Sequence, residues 1–312
     1  METAARTTVV IGTRGSELAK IQAQMVANAL RVRWSQLAIE IKIIRTSGDD
    51  AKIDITNAHA GLKGLFTAEI ERALIAGDVD LAVHSAKDLP SELTSETAIA
   101  AVLPRGEVED VLVAIQDWDL NALPHSAFVA TSSVRRKHQL RWKRPDLEIV
   151  DLRGNVPTRL RKLASGRWHA VVLAGAGLKR LGLCSKAATF LFEDAQFFTT
   201  ALPTENFVPA GGQGIVAAQI RSDDERLRVL LEPLNDFDTR LCLRAEREFL
   251  RLLQADCNQP VGVLAHVDGA TMQIRAQVFA PGATTPRQAI VEGPAEDAEK
   301  LATKLLERIN GD

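Results

Sequence analysis

Through the first two-thirds of this 312-residue chain, short runs rich in β-branched residues alternate with stretches whose apolar residues recur at helical spacing. That alternation constrains the fold most, because strand-helix-strand order buries both faces of a sheet and predicts α/β layers with mostly parallel strands. TTVVIG reads as a strand and SELAKIQAQMVANALRVRW as the helix after it, with Ser16 as its N-cap. LAIEIKIIRT, DLAVHS, AIAAVLP, DVLVAI, FVATSS and EIVDLRG read as further strands. GLFTAEIERALIAG, SVRRKHQLRWKR and VPTRLRKLASG read as helices, and AVVLAGAGLKRLG supplies one more strand and helix. Ligands of such sheets sit beyond the carboxyl ends of the strands.

The last quarter changes character. DTRLCLRAEREFLRLLQ is one long amphipathic helix, VGVLAHVDGATMQIRAQVFA is a hairpin turning at Asp268-Gly269, and EDAEKLATKLLERI is a closing helix. A separate α+β domain therefore begins near residue 236. The expected organisation is an N-terminal α/β lobe of residues 1–104 plus about 213–232, a second α/β lobe of 105–212, and a C-terminal domain of 236–312. GEVED reads as the crossover between lobes, and PAGGQGIV as glycine-rich chain at a strand start, suited to a hinge.

Composition excludes several classes. With 46% hydrophobic residues, 25% charged and a net charge of −2, the chain is ordinary for a soluble globular protein. No run approaches the roughly 18 apolar residues of a membrane span. METAARTTVVIG lacks the apolar centre of a secretory signal, so a cytoplasmic protein is expected. Cys184, Cys242 and Cys257 form no C-x-x-C pair, which argues against a disulfide framework or a zinc knuckle. The six histidines lack metal-ligand spacing, and no metal is expected. GAGLKRLG resembles the opening of a dinucleotide fingerprint, but Arg180 stands where its third glycine belongs.

Charge is unevenly spread. Residues 131–180 hold nine arginines and four lysines against three acids. A solvated helix face accounts for Arg141, Lys143, Arg144 and Lys162. Nucleic-acid binding is a second reading, against which stand the absence of tyrosine and of any nucleic-acid motif. A third reading notes that Arg14, Arg135, Arg136, Arg153 and Arg180 each fall shortly after a strand. Converging there, their planar forks suit a ligand with many carboxylates or phosphates. In HSAKDLP, Lys87 and Asp88 stand past a strand end, either as a self-neutralising surface pair or as groups that handle protons and stabilise a developing cation. In LQADCNQPVG, Cys257 lies in a turn, whereas a free thiol ordinarily packs in a core.

GTRGSELAKIQ, LKGLF, VHSAKDLP, TSSVRRKHQL, LRGNVPTRL, AGLKRLGL, VPAGGQGI, LNDFDT, AERE and C-x-x-PVG occur in one order along nearly the whole chain. That order resembles the hydroxymethylbilane synthase, or porphobilinogen deaminase, family. The resemblance implies two α/β lobes like those of periplasmic binding proteins and a small C-terminal α+β domain carrying the cofactor cysteine. It implies a transferase that condenses four porphobilinogen molecules on a dipyrromethane cofactor bound through a thioether to Cys257, releasing ammonia and then hydroxymethylbilane. By motif, Asp88 is catalytic, and Lys87, Ser133, Arg135 and Arg136 hold the cofactor's side chains. Arg14, Ser16, Arg153, Arg159 and Arg180 hold substrate, while Lys63 and Phe66 line a covering loop. The implied protein is a monomer acting on porphobilinogen, with no nucleic-acid or membrane partner. The rival from another class is a non-catalytic two-lobed polyanion-binding homologue, which needs neither Cys257 nor Asp88. Ala255-Asp256 stand where the family commonly has two glycines, and the segment 184–207 is longer than usual, reading as a surface excursion.

Overall fold

A computed structural model describes residues 8–46, 67–183, 188–255 and 259–311. In chain order, the first elements are β1 (Thr8–Arg14), α1 (Glu17–Arg33), β2 (Ala38–Ile44), α2 (Ala68–Ile75), β3 (Leu81–Ser85) and β4 (Thr97–Val102). Next come β5 (Asp110–Ala114), β6 (Phe128–Ala130), α3 (Val134–Lys143), β7 (Glu148–Val150), α4 (Val156–Ala164), β8 (Ala170–Ala174) and α5 (Gly175–Arg180). Then follow β9 (Thr189–Phe192), β10 (Ala195–Leu202), β11 (Val216–Arg221) and α6 (Glu225–Leu231). Last are α7 (Phe237–Leu252), β12 (Val261–Asp268), β13 (Thr271–Val278), β14 (Arg287–Pro294) and α8 (Ala298–Asn310).

These elements form two compact units. One takes the described residues up to Arg105 together with Ile215–Arg240, and the other Gly106–Gly214 together with those from Leu241 onward. The first unit holds a five-stranded sheet in the order β2-β1-β3-β11-β4. Ser16 caps α1 as its position predicts, its Oγ accepting the Ala19 N–H at 3.3 Å. Val26, Ala27 and Leu30 of α1 then meet Val9, Ile11, Leu81 and Val83 on one face of the sheet. On the other face, Ile70 and Leu74 of α2 pack on Val79 and Ala82. Full burial of each valine, leucine or isoleucine among these contributes about 1.5–3 kcal/mol.

In the second unit, one sheet runs β7-β6-β8-β5-β10-β9. Both α/β sheets are mixed, not mostly parallel: β1 is parallel to β2 and β3, and β6 to β7 and β8, while β11, β5 and β10 pair antiparallel with their neighbours. A parallel neighbour needs a crossover connection, usually helical, and the chain entering β5 and β11 has no such helix. The long 184–207 segment is likewise more than an excursion. Its β10 pairs with β5 from Phe198↔Ala114 to Leu202↔Asp110, and Phe197 is fully buried.

The unit's other sheet is the antiparallel meander β12-β13-β14, covered by α7 and α8 through Phe249, Leu301, Leu305 and Ile309. The β12–β13 turn falls on Gly269-Ala270, one residue later than the sequence reading placed it, since Asp268 pairs with Thr271. Cys242 is a buried member of this core, the ordinary place for a free thiol. Where β11 is approached, Gly106 N–H donates to Gly214 O at 3.0 Å. Gly214 has a φ of 85°, and a Cβ there would lie 2.7 Å from Gly106 O and 2.9 Å from Glu107 O, so only glycine fits.

Candidate active site

In the first unit, β1 and β3 run parallel and end side by side, and their carboxyl ends build a pocket. Arg14 ends β1, Ser16 caps α1, and the chain leaving β3 tightens into a single 3-10 turn, Ala86–Asp88. Arg14, Ser16 and Asp88 thus line one cavity with Gln22, Thr67, His84 and Ser85. Lys87 and Asp88 are both half-buried. Gln22 lies on the buried side of α1 and donates from Nε2 to Ser85 Oγ at 2.8 Å.

His84 is buried and its imidazole is neutral at physiological pH. Burial pushes it down to about 4, the Gln219 side chain opposes this, and the nearby Arg14 charge adds to it. Gln219 in turn donates from Nε2 to Glu71 Oε1 at 2.9 Å and to Thr97 Oγ1 at 2.8 Å. A polar patch on the sheet therefore backs this pocket.

In the second unit, α3 starts immediately beyond the end of β6, with Ser133 Oγ accepting the Arg136 N–H at 3.4 Å. Arg135 and Arg136 are turned inward and share one carboxylate. Arg135 Nη1 donates to Asp110 Oδ2 at 2.8 Å, and Arg136 Nη2 to Asp110 Oδ1 at 2.7 Å. Asp110 is fully buried, and Gln213 Nε2 also donates to its Oδ1 at 2.9 Å. Burial alone would raise the Asp110 carboxyl, but the charges of Arg135 and Arg136 and their hydrogen bonds outweigh it and hold it well below the usual range. Two guanidinium charges face one carboxylate here, so the group carries a surplus positive charge. Arg136 Nε is buried without a hydrogen-bond partner among the described residues.

Arg153 and Arg159 flank the start of α4, where Asn155 caps the helix and Arg159 Nε donates to Gly154 O at 2.7 Å. Arg180, at the end of α5, donates from Nη2 to Gly214 O at 2.5 Å. Arg144, expected on a solvated face, instead gathers the Leu120, Asn121, Leu123 and Pro124 carbonyls and pairs with Asp146. Its place at the C-cap of α3 aims the side chain back at the preceding loop. Lys63, Phe66 and Cys257 lie outside the described residues. Two residues before Cys257, Ala255 is buried in the C-terminal core and its N–H donates to Leu250 O at 2.9 Å.

Sequence reasoning missed Gln22, Ser85, Asp110 and Gln213. Two left a signal: Gln22 is a polar residue in the apolar stripe of α1, and Asp110 is an acid opening a buried strand. His84, whose position in the sequence carries no metal-ligand spacing, lines the pocket. Among the described residues there is no cluster of three or more potential metal ligands, and no helix long and apolar enough to cross a membrane.

Residues 9–229 match the family model described as porphobilinogen deaminase, dipyromethane cofactor binding domain, and residues 240–311 match the porphobilinogen deaminase C-terminal domain. A porphobilinogen deaminase of Roseiflexus sp. (strain RS-1) is 44% identical, the match covering 97% of this chain and 95% of that one. One from Syntrophus aciditrophicus (strain SB) is also 44% identical, over 96% of this chain and 94% of its own. With both family domains matched in order and relatives this similar over almost their full lengths, the chain belongs to the porphobilinogen deaminase family.

Proposed function

We propose that this chain is a hydroxymethylbilane-forming porphobilinogen deaminase. It joins four porphobilinogen molecules head to tail, releases ammonia at each addition, and frees the linear tetrapyrrole by hydrolysis. The observation that carries the reading is the pocket at the carboxyl ends of β1 and β3, where Arg14, Ser16 and Asp88 come together. A carboxylate there stabilises positive charge on a pyrrole nitrogen as ammonia leaves, and it can accept and return the protons of the condensation.

The residues present fit a dipyrromethane bearing acetate and propionate groups. The surplus positive charge of the Arg135–Arg136–Asp110 group, and the Arg136 Nε that has no hydrogen-bond partner among the described residues, are what a buried carboxylate ligand would satisfy. When bound through Cys257, the group supplies the primer on which the product chain is built. A thioether is a suitable anchor because it does not hydrolyse during elongation. Arg135, Arg136, Ser133 and Lys87 hold its side chains. Arg14, Ser16, Arg153, Arg159 and Arg180 hold the carboxylates of incoming substrate, and Lys63 and Phe66 line the covering loop.

The same reading takes the protein as a cytoplasmic monomer with porphobilinogen as its partner, divided into the three domains expected from the sequence. Separate apolar cores under the five-, six- and three-stranded sheets support that division.

The test is the intact mass of the denatured chain beside Cys257→Ser. An excess of two linked pyrrole units in the parent, absent from the variant, is expected. A bare mass in both, persisting after incubation with porphobilinogen, would sink the reading and leave a polyanion-binding homologue.

A further inference from the structure

The arginine pair is not held by its own α/β layer alone. Arg135 Nη1 also donates to Gln139 Oε1 at 2.9 Å and to Val208 O at 3.0 Å. Gln139 Nε2 donates to Val208 O at 2.8 Å and to Gln277 Oε1 at 2.6 Å, and Gln277 Nε2 donates to Asn206 O at 3.1 Å. Asp110, Gln139 and Gln277 are each 0% exposed, and Arg135 is 5% exposed. An unbroken buried chain of hydrogen bonds therefore runs from β5 through α3 to β13, in the three-stranded sheet.

A second link runs beside it. Gly262 on β12 presses on Val208 so closely that a Cβ would lie 2.3 Å from Val208 O, and Val263 N–H donates to Pro209 O at 2.9 Å. The carbonyl that receives Arg135 and Gln139 is thus backed by β12, the strand that begins at Val261, shortly after Cys257 in the sequence. Apolar residues would pack this contact without the desolvation that two buried amides require. What amides add is direction, because each bond fixes the angle and distance of the next.

We propose that Gln139 and Gln277 are positioning residues for Arg135: through them the three-stranded sheet sets where the guanidinium that shares Asp110 with Arg136 stands. The inference rests on the reading of that pair as donors to cofactor carboxylates. Misplacing groups that hold a resident cofactor changes the turnover of bound substrate, whereas losing a contact to incoming substrate raises KM.

The experiment uses the full-length holoenzyme and the double variant Gln139→Leu/Gln277→Leu. Replacing both amides together leaves neither of them unsatisfied; Arg135 keeps Asp110 and Val208 O, while Asn206 O loses its Gln277 donor, so the melting temperature is measured beside kcat. The variant should retain the two-pyrrole mass excess, with KM for porphobilinogen little changed and kcat lowered about tenfold, the effect of one charge-assisted hydrogen bond. Parental kcat at a parental melting temperature would overturn the proposal.

If the double variant melts lower, Leu305→Ala, in the same C-terminal core but outside the chain of amides, serves as a control of matched stability. A kcat below that of Leu305→Ala supports positioning, and equal kcat values overturn it. A parent chain with bare mass and no turnover would overturn the function itself, before either variant is compared.

Discussion

Asp110 and Arg136 lie 2.7 Å apart, carboxylate oxygen to guanidinium nitrogen, with their side chains 0% and 8% exposed. Arg135 shares the same carboxylate at 2.8 Å. One buried acid therefore stabilises two buried bases, and the pair depends on it. Asp110→Asn should leave two guanidiniums repelling each other out of water, a loss of about 3–5 kcal/mol. Urea unfolding reads this directly, and an unchanged midpoint would mean that the group is solvated.

His84 makes stability depend on pH. Its folded value of about 4 lies below the ordinary 6.5, so below pH 6.5 the unfolded chain binds the extra proton. The contribution is present above pH 6.5 and is lost as pH falls towards 4, up to about 3 kcal/mol. His84→Gln should flatten the unfolding free energy across that window. A parental slope in the variant would assign the dependence to another group.

Asp88→Asn should fold, keep the cofactor mass and turn over roughly 10²–10⁴-fold more slowly, the usual range for a positioned acid–base group. Single-turnover kinetics with porphobilinogen checks this. Near-parental rates would remove Asp88 from the chemistry.

Arg153→Ala should raise KM for porphobilinogen about tenfold while leaving the melting temperature unchanged, because the side chain stands exposed beside the start of α4. Unchanged product formation at low substrate would count against Arg153 as a carboxylate donor.

Gly262→Ala should destabilise the second unit by several kcal/mol, since the new methyl would meet backbone rather than a yielding side chain. Differential scanning calorimetry of the variant gives the answer, and a parental melt would show that β12 can shift.

The pocket was legible because its parts follow local rules. A capping serine after a strand placed Ser16 beside Arg14, and the apolar run ending at His84 placed Asp88 just beyond a strand end. The resemblance assigned roles that periodicity cannot assign. Strand direction was not legible: β5, β10 and β11 have ordinary strand patterns, and their antiparallel pairing follows from the route the chain takes between them. Asp110 and Gln277 were missed for a related reason, since their partners are 25 or more residues away and no spacing rule connects them. Arg144 was misjudged because charge alone does not reveal a cluster of carbonyls waiting for donors.

The strand order β2-β1-β3-β11-β4 has a consequence for synthesis. When β3 and β4 leave the ribosome, the strand that separates them has not been made, and residues 106–214 must emerge first. Until then β3 and β4 are open edges, the kind of surface that pairs with other chains. Domains ordinarily complete themselves from the amino terminus onward. Here the first unit to begin must wait for residue 221 of 312, so its nascent form keeps those strand edges open until two-thirds of the chain has been made.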